Sequence, residues 1–425
     1  MQNPILNDRI LSLKESATLA INEKAKSMRR AGKKVYHFGF GQSPFPVADP
    51  IQEALRKNAG HKEYLPTLGL LELREAISNF YKNYYGYDFD AEGILIGPGS
   101  KELIFQAIFV LEGPLLIPGP SWVSYAPQAH IRGKSVYTVL TERKNGYKLT
   151  AQDLLRTCDN LLVSRQKILI LNNPNNPTGS VYHEKELEEL AQVCKEHGII
   201  VISDEIYSLI NFSGKPYCGM SRFYPEGTIV TGGLSKSHSA GGYRLGFLAA
   251  PKNMDRMLKA LMAMVSETFS AVSAPTQYAA IAAYQGDPEV MDYVDRCTRI
   301  HQATGKYLWR RFCQLGLNCV EPEGAFYLFP DFEPMTQAIR KRGIQTSTEL
   351  CDTLLEDYHV AVLPSKDFYC PEDWLACRVA SVDYDGEKVL RAAQSVSELD
   401  DSFIEKHCPH LKNGCDEIGR FLKEL

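Results

Sequence analysis

The run KILILNNPNNPTG (residues 167–179), followed by EKELEELAQVCKEHG (184–198) and IIVISDEIY (199–207), decides the fold of this chain. Its first segment holds Ile168 to Leu171 without polar alternation, the pattern of a strand buried on both faces. The next places Leu187, Leu190, Ala191 and Cys194 on one helical face and stops at Gly198. Ile199 to Ile202 then repeat the buried-strand pattern. Strand, amphipathic helix and strand in that order predict a parallel pair joined by a crossover helix.

Working outward, the same alternation continues. GILIGPG (93–99) reads as a strand entering a glycine turn, and KELIFQAIFVLEG (101–113) as the helix after it. PLLIPGPSW (114–122) and TIVTGGLSK (228–236) read as further strands. The fold class is therefore α/β, with a large domain at 46–300 whose central sheet is mostly parallel and flanked by helices. A smaller α+β domain is expected at 301–425, with strands in CVEPEGAFYLFPDF (319–332) and HVAVLPSKDF (359–368). Residues 1–45 are expected to join that smaller domain through one amphipathic helix over 8–32.

At 425 residues the chain is long for a single core, which supports the two-domain reading. A net charge of −4 gives no reason to expect nucleic acid or a membrane surface as partner. The 11 cysteines form no CxxC pair and are expected to be reduced thiols of a cytoplasmic protein. The start, MQNPILNDRILSLKES, lacks the apolar core of a signal peptide, and no apolar run reaches membrane-spanning length.

In open parallel sheets, ligands bind at the carboxyl ends of the strands. Every polar cluster of note falls at such an end: GPGSK, PGPSW, NNPNNPTG, SDEIY and GGLSK. GFGQSP (39–44) and GPGSKE (97–102) each lack the third glycine of a dinucleotide loop, and no Walker A or GxSxG pattern occurs. The ten histidines show no metal-ligand spacing, so no metal is expected. What remains at the strand ends suits a planar, anionic, pyridine-like cofactor held as an imine.

Each residue has a chemical reason to be there. Lys236 can form a Schiff base and, once released, act as a general base. Asp204, after the apolar run IIVI, can pair with a protonated ring nitrogen and keep the ring an electron sink. Tyr207 and Asn176 can donate to a phenolate oxygen, and Trp122 can stack on the ring face. Gly99, Ser100 and Lys101 open a helix, where backbone N–H groups hold phosphate. Arg244, eight residues after Lys236 in SKSHSAGGYRLG (235–246), can close on that phosphate as a fork.

With these residues in place, the chain resembles the fold-type I aminotransferases of the class that includes aspartate aminotransferase. The likeness runs from SATLAINEKAKSMRRAG (16–32) to ACRVAS (376–381). It includes YLPTLGLLELREAI (64–77), GPGSKE, PSWVSY (120–125), NNPNNPTG, SDEIY, LSKSHSAGGYRLG and PEGAFYLF (322–329), in the family's order. The resemblance implies pyridoxal 5′-phosphate as cofactor and a homodimer with shared active sites. It also implies ping-pong transfer of an amino group between an amino acid and a 2-oxo acid.

Carried over by motif, Lys236 is similar to the imine-forming lysine, Asp204 to the ring-nitrogen partner, and Asn176 and Tyr207 to the ring-oxygen donors. Ser100, Lys101, Ser235 and Arg244 match phosphate-loop positions, and Tyr64 matches a tyrosine that reaches the neighbouring subunit's phosphate. Arg378 resembles the clamp on the substrate's α-carboxylate, assisted by Gly41, Asn176 and Trp122. In one subgroup a lysine placed like Lys101 faces the substrate's distal carboxylate, which favours acidic substrates.

Three positions depart from the family pattern. Gly233 replaces a serine that often binds phosphate, GQSPF (41–45) stands for GEPDF, and PSKDFY (364–369) for PGxxFG. Tyr125, Met262 and Met264 are read as packing residues outside the site. The activity expected is transfer from aspartate, or another acidic or aromatic amino acid, to an acceptor such as 2-oxoglutarate. A cysteine β-lyase or a cyclopropane-carboxylate synthase on the same fold is the alternative.

Overall fold

The computed structural model describes residues 5–161 and 166–425; residues 1–4 of the N-terminal segment lie outside the described part. Seven strands form the main sheet. They are β2 (Ile94–Gly97), β3 (Leu115–Gly119), β4 (Val136–Leu140), β5 (Lys167–Asn172), β6 (Ile199–Asp204), β7 (Thr228–Gly233) and β8 (Gly246–Ala249). Before them comes β1 (Tyr36–His37), and after them β9 (Tyr327–Leu328), β10 (Val360–Ala361), β11 (Leu363–Pro364) and β12 (Cys377–Ala380).

The main sheet has the order β2-β8-β7-β6-β5-β3-β4. Among the described residues, only β8 runs against its neighbours, pairing antiparallel with both β2 and β7. The run that opened the sequence reading behaves as its pattern demands: every residue of β5 is buried, and Ile168 pairs with Ile200 of β6 in parallel register. The helix Glu184–Glu196 between them turns Leu187, Leu190, Ala191 and Cys194 into a core with Leu169, Leu171 and Val201. Truncating one such buried leucine to alanine costs about 2–5 kcal/mol, because the sheet cannot collapse into the void.

The later part of the chain makes two small sheets, β1 with β10 and β11-β12-β9. Parallel pairing of Tyr36 with Val360, and a bond from Ala380 N to Phe38 O at 2.8 Å, join the N-terminal segment to the C-terminal part. One helix, Pro288–Gln314, runs unbroken through residue 300. The chain therefore leaves the main sheet along a helix, not through a loop. Among the described residues, no helix is long and apolar enough to cross a membrane.

The expected single helix over 8–32 is two. A short turn, Asp8–Leu11, ends where the Ser12 hydroxyl bonds back to Arg9 O at 2.9 Å and sits 2.9 Å from His130 Nε2. Serine side chains compete with helical backbone bonds in this way. The second helix, Ala17–Arg30, buries Ala25 against Val35, Leu355 and Ala361. Ser16, Thr18 and Leu19, at and just after the break, line a cavity at the strand ends.

Candidate active site

A cavity of about 450 Å³ opens at the carboxyl ends of β5, β6 and β7 and at the turns after β2 and β3. The fold brings Gly41, Gly99, Ser100, Lys101, Trp122, Asn176, Asp204, Tyr207, Ser235, Lys236, Arg244 and Arg378 to it. Tyr64 is not among them; it is 94% exposed on the loop before the helix Leu71–Tyr85.

Asn172 and Asp204 end adjacent strands in register, and Asn172 Nδ2 donates to Asp204 O at 2.9 Å. Asp204 is buried, and burial raises its pKa to about 6 even though Tyr125, the Ile206 N–H and the Lys236 charge all oppose the shift. Tyr125 Oη donates to Asp204 Oδ2 at 2.7 Å. Lys236, three residues beyond β7, donates from Nζ to Gly41 O at 2.7 Å. Its amine lies 5.7 Å from the centre of the Tyr207 ring and 5.6 Å from that of Phe326.

Gly99 takes φ 95° before the helix Ser100–Val110, a left-handed conformation that suits glycine. A Cβ there would stand 2.7 Å from Arg244 Nη2, which donates to Pro98 O at 3.0 Å. The guanidinium is thus seated directly against the helix start. Gly233 has an equally local cause: a Cβ would meet Leu245 O at 2.8 Å and Gly246 Cα at 2.9 Å. No side chain fits where the resembling family often has serine.

Arg378 is 1% exposed. Its Nη1 donates to Asn176 Oδ1 at 3.2 Å and its Nη2 to Gly39 O at 2.7 Å, while Nε finds no partner. The rings of Tyr327 and Phe368 flank it at 4.7 and 5.2 Å. Burial pulls its pKa down. A cation held by an amide and a carbonyl, with a donor to spare, is built to receive an anion.

Two residues of consequence escaped the sequence reading. Tyr125 reads from sequence as a packing residue, yet its hydroxyl donates to Asp204. Tyr327 lines the cavity and shares a hydrogen bond of 2.9 Å with Tyr207. Each lies inside a quoted motif, PSWVSY and PEGAFYLF, but neither motif says which way its tyrosine points.

An α/β sheet that aims a lysine, a buried aspartate and a helix start into one cleft defines a class of enzyme that activates amino groups on a bound aldehyde. The chain belongs to the class I and II aminotransferase family, whose model matches residues 33–395. It is 35% identical over 387 residues to an aspartate aminotransferase of Geobacillus stearothermophilus, covering 89% of this chain and 95% of that one. It is 32% identical over 382 residues to an asparagine–oxo-acid transaminase of Streptococcus mutans, covering 87% and 93%. The aspartate aminotransferase of Thermus thermophilus solved with maleate superposes with a TM-score of 0.84 at 26% identity, covering 99% and 100%. Amino-group transfer is the activity these relatives support, and the lyase alternative is not favoured.

The family implies pyridoxal 5′-phosphate, and the residues present fit it. The donor set holds an amine, a buried carboxylate, two phenols and a helix start beside a guanidinium. The cradle at Gly99 and Gly246 has no room for a Cβ: at Gly246 one would meet Gly99 C at 2.7 Å.

Proposed function

We propose that the chain transfers the amino group of aspartate, or another acidic amino acid, to a 2-oxo acid such as 2-oxoglutarate by a ping-pong route. The observation that carries this reading is Arg378: a buried guanidinium without a carboxylate partner, in a cavity that Lys101 also lines. One cation would take the α-carboxylate and the other the distal one. Partial burial, and then the charges of Arg244 and Lys236, lower the pKa of Lys101, so a second anion would relieve the crowding.

Pyridoxal phosphate, when bound, supplies a pyridinium ring that withdraws electrons from the substrate's α-carbon. Lys236 would hold the cofactor covalently through Nζ and, with that amine free, serve as the base that takes up and returns the substrate's α-proton. Asp204 would keep the ring nitrogen protonated, and Tyr125 would keep Asp204 charged. Tyr207 and Asn176 would hold the ring oxygen, and Trp122 would cover the ring face. Gly99, Ser100, Ser235 and Arg244 would hold the phosphate. Arg378, with Gly41, would hold the substrate's α-carboxylate and so orient its α-carbon in the cavity.

The homodimer is part of the same reading: Tyr64, exposed and outside its own cavity, occupies the motif position whose tyrosine in the resembling family reaches the neighbouring subunit's phosphate. The same reading assigns 46–300 to the cofactor-binding unit and the rest of the chain to a smaller one. It places the enzyme in the cytoplasm.

The test is the visible absorbance of the cofactor-loaded protein during titration with single amino acids and no oxo acid. Loss of the band with aspartate or glutamate is the expected result. Loss only with neutral or aromatic donors would overturn the acidic-substrate reading. Release of pyruvate and ammonia without an acceptor would replace transfer by lyase chemistry.

A further inference from the structure

Tyr369 follows a single helical turn, Ser365–Phe368, and holds a left-handed backbone at φ 69°. For a large aromatic residue that conformation is strained, so its surroundings must over-determine it. The hydroxyl shows how. It donates to Trp122 O at 2.9 Å and accepts from Ala126 N at 3.0 Å. These groups belong to the turn after β3 and to the first turn of the helix Tyr125–Arg132, where N–H groups otherwise lack partners.

That turn is the busiest in the site. It presents Trp122 to the cavity, and three residues later Tyr125 to Asp204. A second bond, from Ser121 N to Phe368 O at 3.2 Å, fastens the same two segments. The other end of the 365–369 segment bears on the carboxylate clamp, since the Phe368 ring lies 5.2 Å from the Arg378 guanidinium. One short segment next to β11 thus touches both the ring-covering residue and the anion clamp.

We propose that Tyr369 is a positioning residue that fixes the backbone of the 122–126 turn. By doing so it sets the tilt of the Trp122 indole over the cofactor ring and couples it to the segment that packs on Arg378. The inference rests on the proposed role of Trp122 and adds a residue that acts through it.

The experiment compares Tyr369→Phe, Trp122→Ala and the double variant, each as full-length protein. Tyr369→Phe keeps the ring but loses both hydrogen bonds. Two signals are read: the visible circular dichroism of the loaded protein and the dissociation constant of pyridoxal phosphate from the cofactor-free protein. Tyr369→Phe should weaken cofactor binding about fivefold, the worth of roughly one net hydrogen bond, and reduce the dichroic band. In the Trp122→Ala background the same change should have a much smaller effect, because no indole remains to be placed and only the Tyr125 end of the turn is left to respond. Wild-type dichroism and affinity in Tyr369→Phe would overturn the proposal, as would an effect that adds fully to that of Trp122→Ala. If Trp122→Ala alone moves neither signal, the ring-covering role of Trp122 falls, and the inference with it.

Discussion

Tyr125 Oη stands 2.7 Å from Asp204 Oδ2, and both side chains are buried. The phenol is the donor, so the bond favours the carboxylate over the carboxylic acid and works against the burial that raises the Asp204 pKa to about 6. Replacing Tyr125 by Phe should therefore raise that pKa further and leave the cofactor's ring nitrogen less firmly protonated. A hydrogen bond to a charged group is worth about 1.5–3 kcal/mol, so kcat should fall roughly 10- to 100-fold. The acid limb of the kcat–pH profile should move to higher pH. An unmoved limb would show that Asp204 does not depend on Tyr125.

Asp204 and Glu205 should each lend the cofactor-free protein less stability as pH rises. Asp204 and its neighbour Glu205 are both buried, and burial lifts their pKa values to about 6 and about 8. Both folded values exceed the unfolded ones, so the folded state binds these protons more tightly. The stability they lend is complete below about pH 4 and is lost as pH climbs through 6 and then 8. Buried His37, His238 and His301, whose pKa values burial lowers, oppose this below about pH 6.5, so the signal is a difference. The melting temperature of the wild type relative to that of Glu205→Gln should fall between about pH 5 and pH 8, and a difference that rises or stays level across this window would contradict the assignment.

Covalent attachment should depend on Lys236 alone. Borohydride treatment of the loaded protein should add the mass of the reduced cofactor to the wild type and leave Lys236→Ala unmodified, although the variant still binds cofactor. With its general base removed, that variant should transfer amino groups at least about 10²- to 10⁴-fold more slowly. A stable mass adduct on Lys236→Ala would move the attachment point elsewhere.

Lys101 should discriminate among donors. Its Nζ lies 5.4 Å from the centre of the Trp122 ring, at the wall of the cavity. Lys101→Ser should lower kcat/KM for aspartate about 10- to 100-fold, as expected for a charge-assisted bond, and change that for alanine much less. Equal losses for both donors would assign Lys101 to the phosphate and not to the substrate.

Much of this arrangement was legible in the chain. The apolar runs of β5 and β6 and the amphipathic helix between them follow directly from periodicity, and Asn172 and Asp204 sit at strand ends where the sequence stops being apolar. Local chemistry also named Gly99 before a helix start and Lys236 among small residues. Tyr125, Tyr327 and Tyr369 were harder, because a tyrosine is as much at home in a core as in a site. What separates the two is where its hydroxyl ends, and that depends on a segment far away in the chain: 79 residues for Tyr125 to Asp204, 120 for Tyr207 to Tyr327 and 243 for Tyr369 to Ala126.

The break between Asp8–Leu11 and Ala17–Arg30 belongs to the same class. The helical pattern over 8–32 gives no sign that Ser12 lies against His130 on another helix. By itself the sequence determined the layered α/β architecture and the strand-end residues, since both follow from which side chains water rejects and how strands are spaced. Only the tertiary structure decided which hydroxyls meet which partners, that Gly233 has no room for a serine, and that Arg378 is buried against an amide and a carbonyl. Those outcomes depend on contacts between segments distant in the chain, which no local pattern encodes.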